Sequence, residues 1–189
     1  MKFRAATLAL ALLALPAQAE DLSTQITNIV NTELRGWAAD PALVAAVIAA
    51  NAAHATLTQS QIDELDATWR AELETANRPT IDQILSAPPS QALKAKIEAS
   101  GGRFTEAFVT DNRGLNVAQS GATSDYWQGD EAKFGFTYPK GAEAIHIGEM
   151  EFDESSNSYS VQASFTVTDP ASNAPIGSMT VGLNAEMIQ

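Results

Sequence analysis

Cysteine is absent from the 189 residues. Disulfides, thiolate metal sites, iron–sulfur clusters, cysteine nucleophiles and lipid anchoring through cysteine are therefore excluded. Histidine is scarce: His54 and His146 stand far apart and in no metal-protease spacing. Positive charge is scarce too, with 11 basic against 23 acidic residues and a net charge of −12. A field of that sign repels phosphates, so no nucleic-acid partner is expected. Nucleophile-elbow, S-x-x-K and Walker A patterns are missing. Asp153 to Asn157 offers oxygen ligands but lacks the glycine and closing glutamate of a calcium loop, and reads as a turn. No cofactor, no metal and no enzymatic activity are expected. A hydrolase built from scattered serine or carboxylate groups stands only as a third reading.

Long apolar runs are missing beyond the N-terminus. Ala42 to Ala53 comes nearest and is too short for a bilayer. At the N-terminus itself Lys2 and Arg4 precede the apolar stretch Ala5 to Leu15, Pro16 breaks it, and Ala17 to Ala19 forms an A-x-A cleavage signal. Residues 1–19 thus read as a secretory signal peptide, which places the mature chain in the periplasm. Loss of Lys2 and Arg4 takes the net charge from −12 to −14. With 45% hydrophobic residues the chain has a core's worth of apolar side chains and needs no disulfide staples.

Two textures follow one another, helical over 20–102 and stranded over 103–189, and with no linker between them they read as one domain. Leu22, Ile26, Ile29, Val30, Leu34 and Trp37 form a helical stripe, closed or bent by Gly36 and the Ala38 to Pro41 stretch. Asp40 and Pro41 read as N-cap and first helical residue. Thr58 with Gln61, and Thr80 with Gln83, read as capping boxes. Pro88 and Pro89 read as a stop, and Ser90 as the start of a last helix ending at Gly101 and Gly102. Phe104 to Thr110 alternates as a strand, Asp111 to Gly114 turns, and Leu115 to Ser120 returns. After a mixed segment, in which Ser124 or Asp125 is placed to cap a short helix, come strands at Ala144 to Phe152, Ser158 to Thr168 and Ile176 to Leu183. The expected fold is α+β: N-terminal helices packed on a five-stranded antiparallel PAS-like sheet.

Several segments carry a family likeness. Phe108 to Ala118 (FVTDNRGLNVA), Thr123 to Glu131 (TSDYWQGDE), Ser164 to Asp169 (SFTVTD) and Ile176 to Leu183 (IGSMTVGL) resemble the Cache, or PDC, family of extracytoplasmic PAS-like sensor domains. The likeness extends to Asp40 to Val44, Leu65 to Trp69 and Ser90 to Leu93. It implies a long N-terminal helix on an antiparallel sheet and a small-molecule pocket. Such domains usually sit between two membrane helices of chemoreceptors, kinases or cyclases. Here a cleavable signal and no second membrane helix are expected, so a signal would pass through a membrane receptor or kinase partner. The arginine of the family's amino-acid-binding constellation has no counterpart beside Tyr126 and Trp127.

Asp125, Tyr126, Trp127 and Gln128 combine apolar wall with polar tips and are the leading ligand-binding candidates. Phe108, Tyr138 and Phe165 are further wall candidates, and Asp169 a polar one. Asp130 and Glu131 read as solvated charges. Along the fourth strand Tyr159, Val161, Ala163, Phe165 and Val167 share one face, and Ser160, Gln162, Ser164, Thr166 and Thr168 the other. The sequence does not say which face meets a ligand. The expected function is a periplasmic small-molecule-binding sensor-type protein. The competing reading is a protein-interaction module with a closed pocket, and a homodimer through the first helix stays open.

Overall fold

The computed structural model describes residues 16–153 and 158–188. The export signal expected over 1–19 therefore lies outside the described residues, apart from its last four. The turn expected at Asp153 to Asn157 lies outside them beyond its first residue. Among the described residues no single helix is long and apolar enough to cross a membrane.

The first helical stripe becomes α1 (Pro16–Ile29), a π-helical turn (Val30–Leu34) and α2 (Arg35–Ala38). Gly36 neither closes nor bends it; the chain turns by 74° only between Ala38 and Pro41. There Asp40 caps α3 (Pro41–His54), accepting from the N–H groups of Ala42 and Leu43 at 2.9 and 3.3 Å. The Thr58–Gln61 capping box opens α4 (Gln59–Leu73). The box expected at Thr80 and Gln83 does not form. Instead Glu72, at the end of α4, accepts from the N–H groups of Thr80 and Ile81 and caps α5 (Pro79–Ser86) from outside. A buried carboxylate on two free N–H groups at a helix start outcompetes a local hydroxyl. Helix α6 (Pro88–Ala99) begins at the prolines, not at Ser90, because proline suits the first helical turn. Ser90 turns inward, and its hydroxyl accepts from the N–H of Gln119 at 3.0 Å.

Strands β1 (Phe104–Thr110), β2 (Asn116–Gln119), β3 (Ile145–Asp153), β4 (Ser158–Thr168) and β5 (Pro175–Asn184) form one antiparallel sheet in the order β2-β1-β5-β4-β3. The segment between β2 and β3 carries α7 (Ala132–Gly135) and a 3-10 turn (Tyr138–Lys140). Glu131 precedes α7, so neither Ser124 nor Asp125 caps it.

One face of the sheet packs on the helices. Val161, Ala163, Phe165, Met179, Val181 and Leu183 meet Ile26, Val30, Leu34 and Val47 there. Full burial stabilises each such side chain by about 1.5–3 kcal/mol, so this face supplies most of the hydrophobic stability. A smaller core joins α4 and α5 to the β2 region: Ile62, Trp69, Ile81, Leu115 and Tyr126.

Candidate functional site

The opposite face of the sheet is polar. Cross-strand partners line up in one row over all five strands: Gln119, Phe108, Thr180, Ser164 and His146. Gln119, Thr180 and Ser164 are buried although nothing apolar requires it. Ser164 and Thr180 satisfy each other at 2.9 Å. The next row carries Thr110, Ser178 and Thr166. Buried polar groups need partners, and Gln119 Nε2, Gln128 Oε1, Asn116 Oδ1 and Thr166 Oγ1 have none among the described residues.

At the β3–β4 end this polar face opens into a cleft of about 660 Å³. Its floor is Ser160, Gln162, Ser164 and His146, its edge is Ile147 to Glu149 with Glu151, and its roof is Glu131, Ala132 and Lys133. The pairing of β3 with β4 slips between Ile147 and Met150, and the bulge puts Gly148 and Glu149 against Gln162. Gln162 is fixed by its Nε2, which donates to Glu106 Oε1 at 2.8 Å. That bond reaches from β4 to β1 across β5. It passes because Gly182, paired with both residues, has no side chain; a Cβ there would lie 2.9 Å from Glu106 Cγ. Lys133 pairs with Glu131 at 2.9 Å and sits 5.4 Å from the Phe108 ring centroid, a cation–π distance. His146 stacks on Phe136 at 5.2 Å. The cleft thus offers a fixed amide, a hydroxyl, an imidazole, an ammonium and carboxylates, the mixture that orients a small polar molecule.

The structure separates the residues singled out from the sequence. Phe108 is buried on the polar face beside the cleft. Phe165 is on the other face, in the main core, with Arg35 over its ring at 5.7 Å. Tyr126 stacks on Trp69 at 5.5 Å in the smaller core. Burial and the nearby Asp111 charge push its hydroxyl up to about 12. The indole N–H of Trp127 donates to the carbonyl of Arg113 at 2.8 Å. Both backbone N–H groups of this pair donate to Asp66 Oδ1 of α4, at 2.8 and 3.0 Å. Asp125 faces Arg70 at 3.6 Å, and its carbonyl accepts from Asn116 Nδ2 and Gln128 Nε2. Gln128 is buried, 2% exposed. Tyr138 is half-buried and stacks on Phe134 at 5.6 Å. Asp169 closes its own turn: the N–H of Ala171 and then the hydroxyl of Ser172 hold its carboxyl below the ordinary value. None of the eight lines the cleft; Phe108 touches it through Lys133, whose ammonium lies over its ring.

Sequence reading missed Lys133, His146 and Glu149, and took Glu131 for a solvated charge. The signal available was the parity of β4, which put Ser160, Gln162 and Ser164 on one face. Nothing local marks Lys133, because α7 is a single turn. Among the described residues no group of three or more histidines and carboxylates converges as a metal site.

A second constellation fixes the β1–β2 hairpin. Asp111 is fully buried; its Oδ1 accepts from the N–H groups of Arg113 and Leu115 at 2.8 and 2.9 Å, and its Oδ2 lies 2.6 Å from His54 Nδ1. Asn51 accepts from Asn112 N–H and donates to the Ile176 carbonyl. Arg113 donates to the carbonyls of His54 and Leu57. Gly114 takes φ +81°, and a Cβ there would lie 2.5 Å from Gly129 Cα, so only glycine lets the 127–129 segment close on the turn.

The α+β architecture, with N-terminal helices packed on one face of a five-stranded antiparallel sheet, is the one expected from the sequence. No family model matches the sequence, and no curated protein does. Solved structures with a similar fold include the sensor domain of the Vibrio cholerae histidine kinase DctB, 14% identical over 91% of this chain with a TM-score of 0.47. The ligand-binding domain of the Pseudomonas aeruginosa amino acid chemoreceptor PctC, solved with GABA, is 11% identical over 90% of this chain with a TM-score of 0.42. The sensory domain of the Campylobacter jejuni chemoreceptor Tlp3, solved with isoleucine bound, is 13% identical over 92% with a TM-score of 0.39. This chain spans 55%, 62% and 65% of those three chains.

Proposed function

We propose that this protein binds a small polar molecule outside the cytoplasm and presents its bound state to a membrane receptor or kinase. The observation that carries this reading is the asymmetry of the sheet. One face packs apolar side chains of β1, β4 and β5 against the helices, whereas the other buries a polar row that opens into a cleft of about 660 Å³. Ser160, Gln162, Ser164, His146 and Lys133 bring donors and acceptors to that open end, where a small polar ligand would engage them. The export signal read at residues 1–19 supports a periplasmic location.

The test is thermal unfolding of the purified chain against cationic, zwitterionic and anionic metabolites. A ligand at a hundred times its Kd adds about 2.7 kcal/mol. For a chain of this size that raises the midpoint by about 5–11 °C. Lys133→Ala and Gln162→Ala are expected to abolish the rise and to lower the unliganded midpoint by only about 1–6 °C, whereas Phe165→Ala lowers the midpoint further and leaves the choice of compound unchanged. A library that moves no midpoint refutes the reading.

A further inference from the structure

The sheet has two margins, and the chain treats them differently. Beyond β2 the segment 126–128 adds a partial strand: Leu115 bridges Trp127, Asn116 N–H donates to the Tyr126 carbonyl, and Gln128 N–H donates to the Gly114 carbonyl. Beyond β3 no strand is paired among the described residues. Strand β3 (IHIGEMEFD) runs nine residues with no proline and no lysine to blunt it, and its bulge at Gly148 and Glu149 leaves Met150 to Asp153 as the regular stretch of the edge.

Its side chains alternate in chemistry as well as in direction. Glu149 and Glu151 point to the cleft side, beside Gln162 and Ser160. Met150 and Phe152 point to the other side, opposite Val161 and Tyr159. There the helices no longer cover the sheet: Met150, Phe152 and Tyr159 are 48%, 51% and 49% exposed, and Phe152 meets Tyr159 edge to face at 5.4 Å. The margin therefore has an acidic flank and an apolar flank.

We propose that β3 receives an extended segment of a partner protein, added as a sixth strand, whose residues alternate between basic and apolar. Backbone pairing with β3 would supply affinity; lysine or arginine beside Glu149 and Glu151, and apolar side chains against Met150, Phe152 and Tyr159, would supply register and selectivity. Charge decides the occupant. A second copy pairing antiparallel about Met150 would set Glu149 against Glu151 twice, and like charges directly opposite are destabilising. The same glutamates that reject the protein's own edge attract a basic strand. This goes beyond the proposed small-molecule function, although its two glutamates also line the edge of the cleft.

The test uses the full chain and a fluorescent seven-residue peptide of alternating lysine and valine, read by anisotropy at low salt. Saturable binding is expected. N-methylation of every peptide amide keeps its charge but removes its strand donors, and is expected to weaken binding about tenfold or more; Glu149→Lys with Glu151→Lys is expected to do the same without changing the unfolding midpoint. Three results would overturn the proposal: no binding of the parent peptide, binding of the methylated peptide within about twofold of the parent, or equal binding of a glutamate–valine peptide. A dimer in sedimentation that the two substitutions alter would assign the edge to a second copy and overturn it too. Glu149 and Glu151 also edge the cleft, so the small-molecule reading is judged separately, by Lys133→Ala and Gln162→Ala on the parent chain with no peptide present.

Discussion

Replacing Asp111 by alanine tests how the helical half is tied to the sheet. The carboxylate is fully buried and serves three donors: the N–H groups of Arg113 and Leu115 and the ring of His54. Arg113 is half-buried, so water replaces its lost acceptor. Leu115 is fully buried, and its stranded N–H costs about 1–3 kcal/mol. Losing the contact with His54 removes a hydrogen bond to a buried carboxylate, about 1.5–3 kcal/mol more. The expected loss for Asp111→Ala is therefore about 3–5 kcal/mol, or about 6–20 °C in midpoint for a chain of this length. Asp111→Asn keeps an oxygen for the two N–H groups and disturbs only the imidazole contact, so about 1–2 kcal/mol is expected. His54→Ala leaves the carboxylate its two backbone donors and falls in the same smaller range. Urea unfolding of the three single variants and the double variant His54→Ala with Asp111→Ala gives the coupling between the two side chains. If Asp111→Ala costs under about 1 kcal/mol, or if the single effects of the alanine variants add within about 0.5 kcal/mol, the pairing argument is wrong.

Two pH predictions follow from other groups. Tyr126 has a folded-state value near 12, above the ordinary 10, so the unfolded chain releases this proton first. The stability it contributes is complete below pH 10 and is lost as pH rises toward 12; unfolding free energy followed over that window should fall more steeply for the parent than for Tyr126→Phe, and equal slopes would refute the assignment. Glu72 has the opposite sign. Burial opposes its charge, but the N–H groups of Ile81 and Thr80, the Thr80 hydroxyl and Arg78 together hold the carboxyl below 4.5. Its contribution is present above that value and is lost as the solution is acidified through the lowered one, so Glu72→Gln should unfold with a flatter acid limb in circular dichroism.

Legibility from the sequence followed the range of the forces involved. Strand parity, the Asp40 cap and the Thr58–Gln61 box depend on neighbours within four residues and stand in the structure as read. The extents of the five strands follow from the same alternation, whereas their order in the sheet is set by long-range pairing. Where a distant group intervenes, local reading fails: Glu72 displaces the expected Thr80 box from eight residues away, and Gln119 draws Ser90 off its expected helix start. The aromatic pair Tyr126 and Trp127 reads equally as pocket wall or as packing. Asp66, sixty residues upstream, takes both backbone donors and turns the two rings toward α4 and the hairpin. The cleft was half legible: β4 parity exposes its floor, but the roof depends on where a single helical turn lands.

The unequal margins of the sheet limit how this chain can assemble. Head-to-tail growth needs two complementary surfaces on every subunit, so that each newcomer offers a fresh docking point. Here one border is already sealed by the chain's own 126–128 segment. Two molecules joined along their bare borders would present only sealed ones outward, and the series would end at a pair. Through its sheet the protein is thus monovalent: it can accept a neighbour but cannot seed a fibre.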